Sequence, residues 1–136
     1  MRLPSVAVIA AAVLALGAGT APVRAADSNV GQLVAADSNV GQLVMVETKG
    51  CAWCAKWHKE LGAIYPKTAE GHRLALRVVR LESLPADLRF IADLRYSPTF
   101  VAVQCGKEMG RIVGYGSDDM FWGQLGEIVS RLKPGC

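Results

Sequence analysis

The stretch KGCAWCAKWH, residues 49–58, constrains this chain more than any other: two thiols three positions apart, directly behind a glycine and at the head of a run of helix formers. The spacing lets Cys51 and Cys54 close a disulfide across one helical turn without displacing the backbone. Cys51 falls at a helix N-terminus, where unpaired backbone N–H groups and the macrodipole favour the thiolate over the thiol. Lys49 and Lys56 either add to that effect or belong to a solvated face. Cys54 falls one turn further in, on an apolar stripe with Trp57, Leu61 and Ile64. An acidic outer thiol beside a shielded inner one suits a nucleophile and its resolving partner in thiol–disulfide exchange.

Other uses of the pair fit less well. A c-type haem requires histidine directly after the second cysteine, where this chain has Ala55. Structural zinc requires four ligands, and beyond the pair the chain offers only His58, His72, Cys105 and Cys136. A purely structural Cys51–Cys54 bridge closes so small a loop that it contributes little stability. His58 lies four residues after Cys54, so the alternative that stays open is a copper- or zinc-binding carrier using Cys51, Cys54 and His58.

The chain opens with Arg2, an apolar run from Val6 to Leu16 and small residues around Val23-Arg24-Ala25. That run is too short to span a bilayer, and the pattern reads as a secretory signal peptide over residues 1–25. No cysteine follows the cleavage region, so no lipid anchor is expected there. The segment AADSNVGQLV at 25–34 recurs unchanged at 35–44, and only the second copy runs into an apolar strand. Residues 26–40 are therefore read as a duplicated linker, which also leaves the cleavage site ambiguous between Ala25 and Ala36. Residues 41–136 are left for one domain with one core. Two of the 15 basic residues, Arg2 and Arg24, lie in the signal segment, leaving 13 against 12 acidic ones, so nothing suggests a nucleic-acid surface. Cysteine in an exported chain points to redox chemistry or stapling, with the bacterial periplasm as the expected compartment.

Along the domain, Gln42–Glu47 reads as a buried strand and 52 to about 65 as the helix carrying the thiols, stopped by Pro66. Residues 74–81 read as a second strand and 86–94 as a short helix. Residues 99–103 and 109–113 read as a hairpin turning at Cys105-Gly106. The last helix is capped by Ser117, buries Phe121, Leu125, Ile128 and Leu132, and is closed by Pro134. The order β-α-β-α-β-β-α implies an α/β fold with a mixed sheet and helices on both faces.

Strand, G-C-x-x-C-helix, strand, helix, Ser97-Pro98-Thr99 opening a hairpin, and a final helix resemble the thioredoxin family over residues 41–133. "MVETKGCAWCAKWHKELGAIYPKTAEG", "YSPTFV" and "GRIVGYGSDDMFW" further resemble the periplasmic thioredoxins of bacterial sulfur-oxidation operons. The resemblance implies a thioredoxin-like, mixed four-stranded sheet with flanking helices, and a cis bond before Pro98. It also implies a partner segment docking as an added strand on Ser97, Pro98 and Thr99, with Trp53 shaping the surface. It implies a protein thiol or disulfide substrate, such as a sulfur-carrier protein, and a membrane thiol electron donor. No cofactor or resident metal belongs to this reading, and a monomer is expected. Three departures stand out. The family's buried acid falls at Met45, leaving Glu47 as the nearest carboxylate; Ala52-Trp53 lacks the usual proline; and the family's first strand and helix have no counterpart.

Cys105 falls at the hairpin turn and Cys136 is the last residue of the sequence; the resemblance to the thioredoxin fold implies that both lie at the pole opposite Cys51. Lys133 to Cys136 reaches roughly 10 Å at about 3.3 Å per residue, so a structural Cys105–Cys136 disulfide is expected, worth about 3 to 4 kcal/mol.

Overall fold

The run Leu43-Val44-Met45-Val46 is buried along its whole length, as a strand covered on both faces requires. It forms the middle of β1 (Gly41–Glu47), which pairs in parallel with β2 (Leu74–Arg80) and antiparallel with β3 (Thr99–Gln104). β3 turns back into β4 (Lys107–Val113), giving a mixed four-stranded sheet of order β2-β1-β3-β4. The computed structural model describes residues 41–135. The expected signal peptide, the duplicated linker and Cys136 lie outside the described residues.

Side chains alternate along β1, so the sheet builds two different cores. Leu43 and Met45 face α1 (Ala52–Glu60) and α3 (Asp118–Ser130), packing with Cys54, Trp57, Tyr65, Phe100, Phe121 and Leu125. This face is dominated by rings: Trp57 lies 5.2 Å from Phe100 and 5.7 Å from Phe121, and Phe100 lies 5.0 Å from Phe121, centroid to centroid. Val44 and Val46 face the other way, into an aliphatic cluster with Val79, Leu88, Ile91 and Val101.

α3 follows its sequence signals. The Ser117 hydroxyl accepts from the Met120 N–H at 3.3 Å, Asp118 and Asp119 occupy the first turn, and Phe121, Leu125 and Ile128 are buried. It meets β4 at Gly110, where an added Cβ would stand 2.9 Å from Cγ1 of Ile128.

Two expectations are corrected and one element is new. The helix carrying the thiols ends at Glu60 rather than near Tyr65, and the chain continues through turns. A five-residue helix, α2 (Ala69–Arg73), precedes β2; Thr68 caps it, with Oγ1 donating to the Tyr65 carbonyl and accepting from the Gly71 N–H. The helix expected over 86–94 is reduced to a single turn, Ala86–Leu88. Leu88, Ile91 and Leu94 keep a spacing of three and all pack toward the aliphatic cluster, but Asp93 adopts a left-handed φ of 56°, which no helix tolerates. Regular helices therefore pack on one face, and chain with isolated turns covers the other.

Candidate functional site

β1 leads into the turn Thr48-Lys49-Gly50, where Gly50 takes φ +74°, a conformation that costs glycine nothing and other residues strain. The next residue, Cys51, is extended and caps α1 with its own sulfur, Sγ accepting from the Cys54 N–H at 3.1 Å. Cys51 is half-buried and Cys54 is 2% exposed. The two sulfurs are joined in a disulfide. One sulfur is thus reachable from solvent and the other is backed by the aromatic core.

The second half of the site comes from the loop before β3. The Ser97–Pro98 peptide is cis, and the Pro98 carbonyl accepts from the Gly114 N–H at 2.7 Å. Oγ of Ser97 accepts from the Thr48 N–H at 3.0 Å, which ties the two loops together. The same oxygen lies 3.3 Å from Sγ of Cys51 and 3.2 Å from Sγ of Cys54. Pro98 and Thr99 are buried, the Thr99 hydroxyl donating to the Tyr96 carbonyl at 2.7 Å, so neither side chain of this pair is presented at the surface.

Around the sulfurs, Trp53 is 55% exposed and Tyr96 is 69% exposed. The Lys56 ammonium donates to the Gly116 carbonyl at 3.2 Å and lies 5.4 Å from the Trp53 ring and 5.6 Å from the Tyr115 ring. That placement holds the charge between two aromatic faces. The Tyr115 phenol is pushed well above its ordinary range, first by desolvation and then by its 2.6 Å hydrogen bond to Glu60.

An open cavity of about 500 Å³ adjoins Cys51, lined among others by Glu47, Ala55, His58 and Arg80. Met45 is fully buried among apolar residues, so no carboxylate lies directly beneath the pair. Glu47, two residues on, is 7% exposed, and its Oε1 faces Nε2 of His58 at 3.4 Å. Arg80 donates to the Thr48 carbonyl at 3.2 Å. The Lys49 N–H donates to Glu82, whose carboxyl is held below its usual range by the backbone N–H groups of Glu82 itself and then of Lys49.

Of the residues singled out in the sequence, Cys51, Trp53, Cys54, Ser97 and Pro98 gather at this end of the sheet, and Cys105 lies at the other. Cys105 occupies the β3–β4 turn with φ 54°, followed by Gly106 at φ 69°. The side chain of Gln104 donates to the Lys133 carbonyl at 2.8 Å and accepts from its N–H at 3.3 Å, drawing the tail toward the turn. Sγ of Cys105 lies 3.9 Å from the Gly135 carbonyl oxygen; the expected pairing with Cys136 falls outside the described residues. Among the described residues no group of three His, Cys, Asp or Glu side chains is placed to hold a metal ion. Two contacts have no local signal in the sequence: the one between Glu47 and His58, and the one by which the Ser97 hydroxyl reaches both sulfurs.

The solved structures include close matches in fold. The periplasmic thioredoxin SoxS from Paracoccus pantotrophus, in its reduced form, is 33% identical over 66% of this chain and 96% of its own, with a TM-score of 0.59. The reduced Schistosoma mansoni thioredoxin pre-protein is 19% identical over 75% of this chain and 91% of its own, at 0.54. Fasciola hepatica thioredoxin is 19% identical over 77% and 92%, also at 0.54. No family model matches the chain, nor does any curated protein sequence.

Proposed function

Because this chain belongs to the thioredoxin family and is a thiol–disulfide oxidoreductase, we propose that it works in the periplasm as a reductant of a protein disulfide or persulfide, with a sulfur-carrier protein as partner. The observation that carries the reading is the Cys51–Cys54 disulfide at the front of α1, one sulfur open and the other buried. The compartment rests on the likeness to the periplasmic thioredoxin SoxS and on the signal-peptide pattern of residues 1–25, and the partner on the resemblance of the motifs to the thioredoxins of sulfur-oxidation operons.

In the reduced protein, Cys51 is the thiolate, favoured by the Cys54 N–H and the positive end of α1. It attacks a sulfur of the partner disulfide, forms a mixed disulfide and releases the first partner thiolate. Cys54 loses its proton and attacks Sγ of Cys51, which releases the second partner sulfur and leaves the Cys51–Cys54 bridge. Two electrons pass from the dithiol to the partner, and a membrane thiol donor returns them. The partner lies against Trp53 and along the backbone of Ser97, Pro98 and Thr99 as an added strand. The protein acts as a monomer, and a Cys105–Cys136 bridge at the far pole has a structural role only.

Two variants test this. Cys54→Ser is expected to accumulate a mixed disulfide with its partner in periplasmic extract, identifiable by mass spectrometry, while Cys51→Ser forms none and loses all turnover of a protein disulfide. Full reduction of protein disulfides by Cys51→Ser would overturn the proposal.

A further inference from the structure

The Ser97 hydroxyl is the one side-chain group in hydrogen-bond reach of both sulfurs among the described residues, 3.3 Å from Cys51 and 3.2 Å from Cys54. A hydroxyl has one proton and two lone pairs. Here the Thr48 N–H, at 3.0 Å, already occupies a lone pair and fixes the oxygen in place. The group has its proton and one further lone pair left to offer, and in the disulfide-bonded geometry rotation about the Cβ–Oγ bond turns that proton from one sulfur toward the other.

The two steps of exchange place negative charge on the two sulfurs in turn: on Cys51 in the reduced protein, and on Cys54 once Cys51 is tied up in the mixed disulfide. We propose that Ser97 is a catalytic residue whose O–H follows that charge, donating first to the Cys51 thiolate and then to the Cys54 thiolate. The inference rests on the oxidoreductase reading above and deepens it. Ser97 keeps its proton throughout. The proton that Cys54 gives up goes to the partner thiolate released in the first step, so the Cys51 thiolate, the Cys54 thiol and the partner disulfide become the Cys51–Cys54 disulfide, one partner thiol and one partner thiolate.

The two sulfurs do not depend on Ser97 equally. Cys51 also accepts from the Cys54 N–H at 3.1 Å and stands at the head of a nine-residue helix. The Cys54 sulfur is buried, and the Ser97 hydroxyl is the one side-chain hydrogen-bonding contact it makes among the described residues. The charged groups nearby leave this assignment intact. Glu47, His58 and Arg80 share the cavity beside Cys51, Lys56 is held at Gly116 between two rings, and the Lys49 N–H is taken by Glu82; none of these side chains hydrogen-bonds a sulfur among the described residues. The loss of the hydroxyl must therefore fall mainly on the second step.

The size of the effect follows from two opposed terms. A hydrogen bond to a charged group shifts its ionisation by about one to two pKa units. Each unit lowers the thiolate fraction about tenfold but raises intrinsic nucleophilicity about threefold, leaving a net loss of about threefold per unit at neutral pH. The test uses the reduced full chain and an aromatic disulfide whose two thiolates absorb visibly, so that each step gives its own phase in stopped flow. Ser97→Val and Ser97→Thr have nearly the same shape and differ in the hydroxyl; Ser97→Ala is a second hydroxyl-free variant should valine prevent folding.

For the hydroxyl-free variants the second phase is expected to slow about three- to tenfold at neutral pH and its pH midpoint to rise by about one to two units, with a smaller change in the first phase. Ser97→Thr should keep both phases and the midpoint. A second phase unmoved in Ser97→Val or Ser97→Ala, or slowed equally in Ser97→Thr, would overturn the proposal. Absence of both phases in the unsubstituted protein would instead overturn the oxidoreductase reading itself.

Discussion

The two faces of the sheet are built from different materials. The face under α1 and α3 is aromatic, with Trp57 and Phe121 each in ring contact with Tyr65, Phe100 and one another, and two regular helices close it. The opposite face is aliphatic and is closed by residues 81–94, which form only isolated turns. That cover is fastened from both edges of the sheet: Arg77 on β2 binds Asp87 at 2.6 Å, and Arg111 on β4 donates to the Ala92 carbonyl at 3.0 Å. The reactive pair rides on the helical side, while Ser97 arrives at the end of the irregular side. The comparison teaches that the geometry of the site needs both covers to be in place, one rigid by packing and the other held by a few side chains.

The heaviest blow to the comparison is Trp57→Ala. Trp57 is fully buried one turn behind Cys54, so truncation is expected to cost about 3 to 5 kcal/mol in denaturant unfolding and to take exchange activity with it. Trp57→Phe sharpens the result, because it removes a buried indole N–H that has no acceptor among the described residues while keeping most of the ring volume.

Next comes Ile91→Ala on the other face, expected to cost about 2 to 3 kcal/mol, with the loss confined to hydrogen-exchange protection near the irregular cover. A cost equal to that of Trp57→Ala, or deprotection spread over α1, would erase the distinction between the faces.

The smallest effect lies at the fastening. The Arg77 hydrogen bond holds the Asp87 carboxyl below its usual range. A carboxyl depressed in the folded state contributes stability that is complete above its unfolded value, near 3.9, and is lost as pH falls through the folded one. Because Asp87 is largely exposed and Arg77 about a third exposed, the contribution is a few tenths of a kcal/mol at most. Asp87→Asn should therefore lower stability slightly at pH 7 and flatten its fall below pH 4, measured by urea unfolding across that range.

The same contrast explains what could be read from the sequence. Strands and the last helix were legible because Leu43–Val46 and Thr99–Val103 are nearly unbroken apolar runs and the Phe121-Leu125-Ile128 stripe has helical period, signals that tertiary packing reinforces. α2 was not, since five residues show no period and their order comes from Thr68 and from Gly71, whose backbone lies so close to the Tyr65 carbonyl that a Cβ would collide with it. The 86–94 segment misled because a spacing of three serves a helix and an irregular cover equally well, and Asp93 decides between them. Cys51 and Cys54 were legible from spacing alone. The Ser97 hydroxyl was not, because its contacts reach across 43 and 46 residues and no local pattern encodes them.

Cys51 closes the first turn of its own helix with the atom that does the chemistry. Any covalent change at that sulfur therefore alters the partner of the Cys54 amide, one bond away from the backbone itself. That single amide is a built-in gauge of oxidation state: its nitrogen-15 resonance should separate dithiol, mixed disulfide and bridge as three distinct signals, with no label attached to the protein's surface.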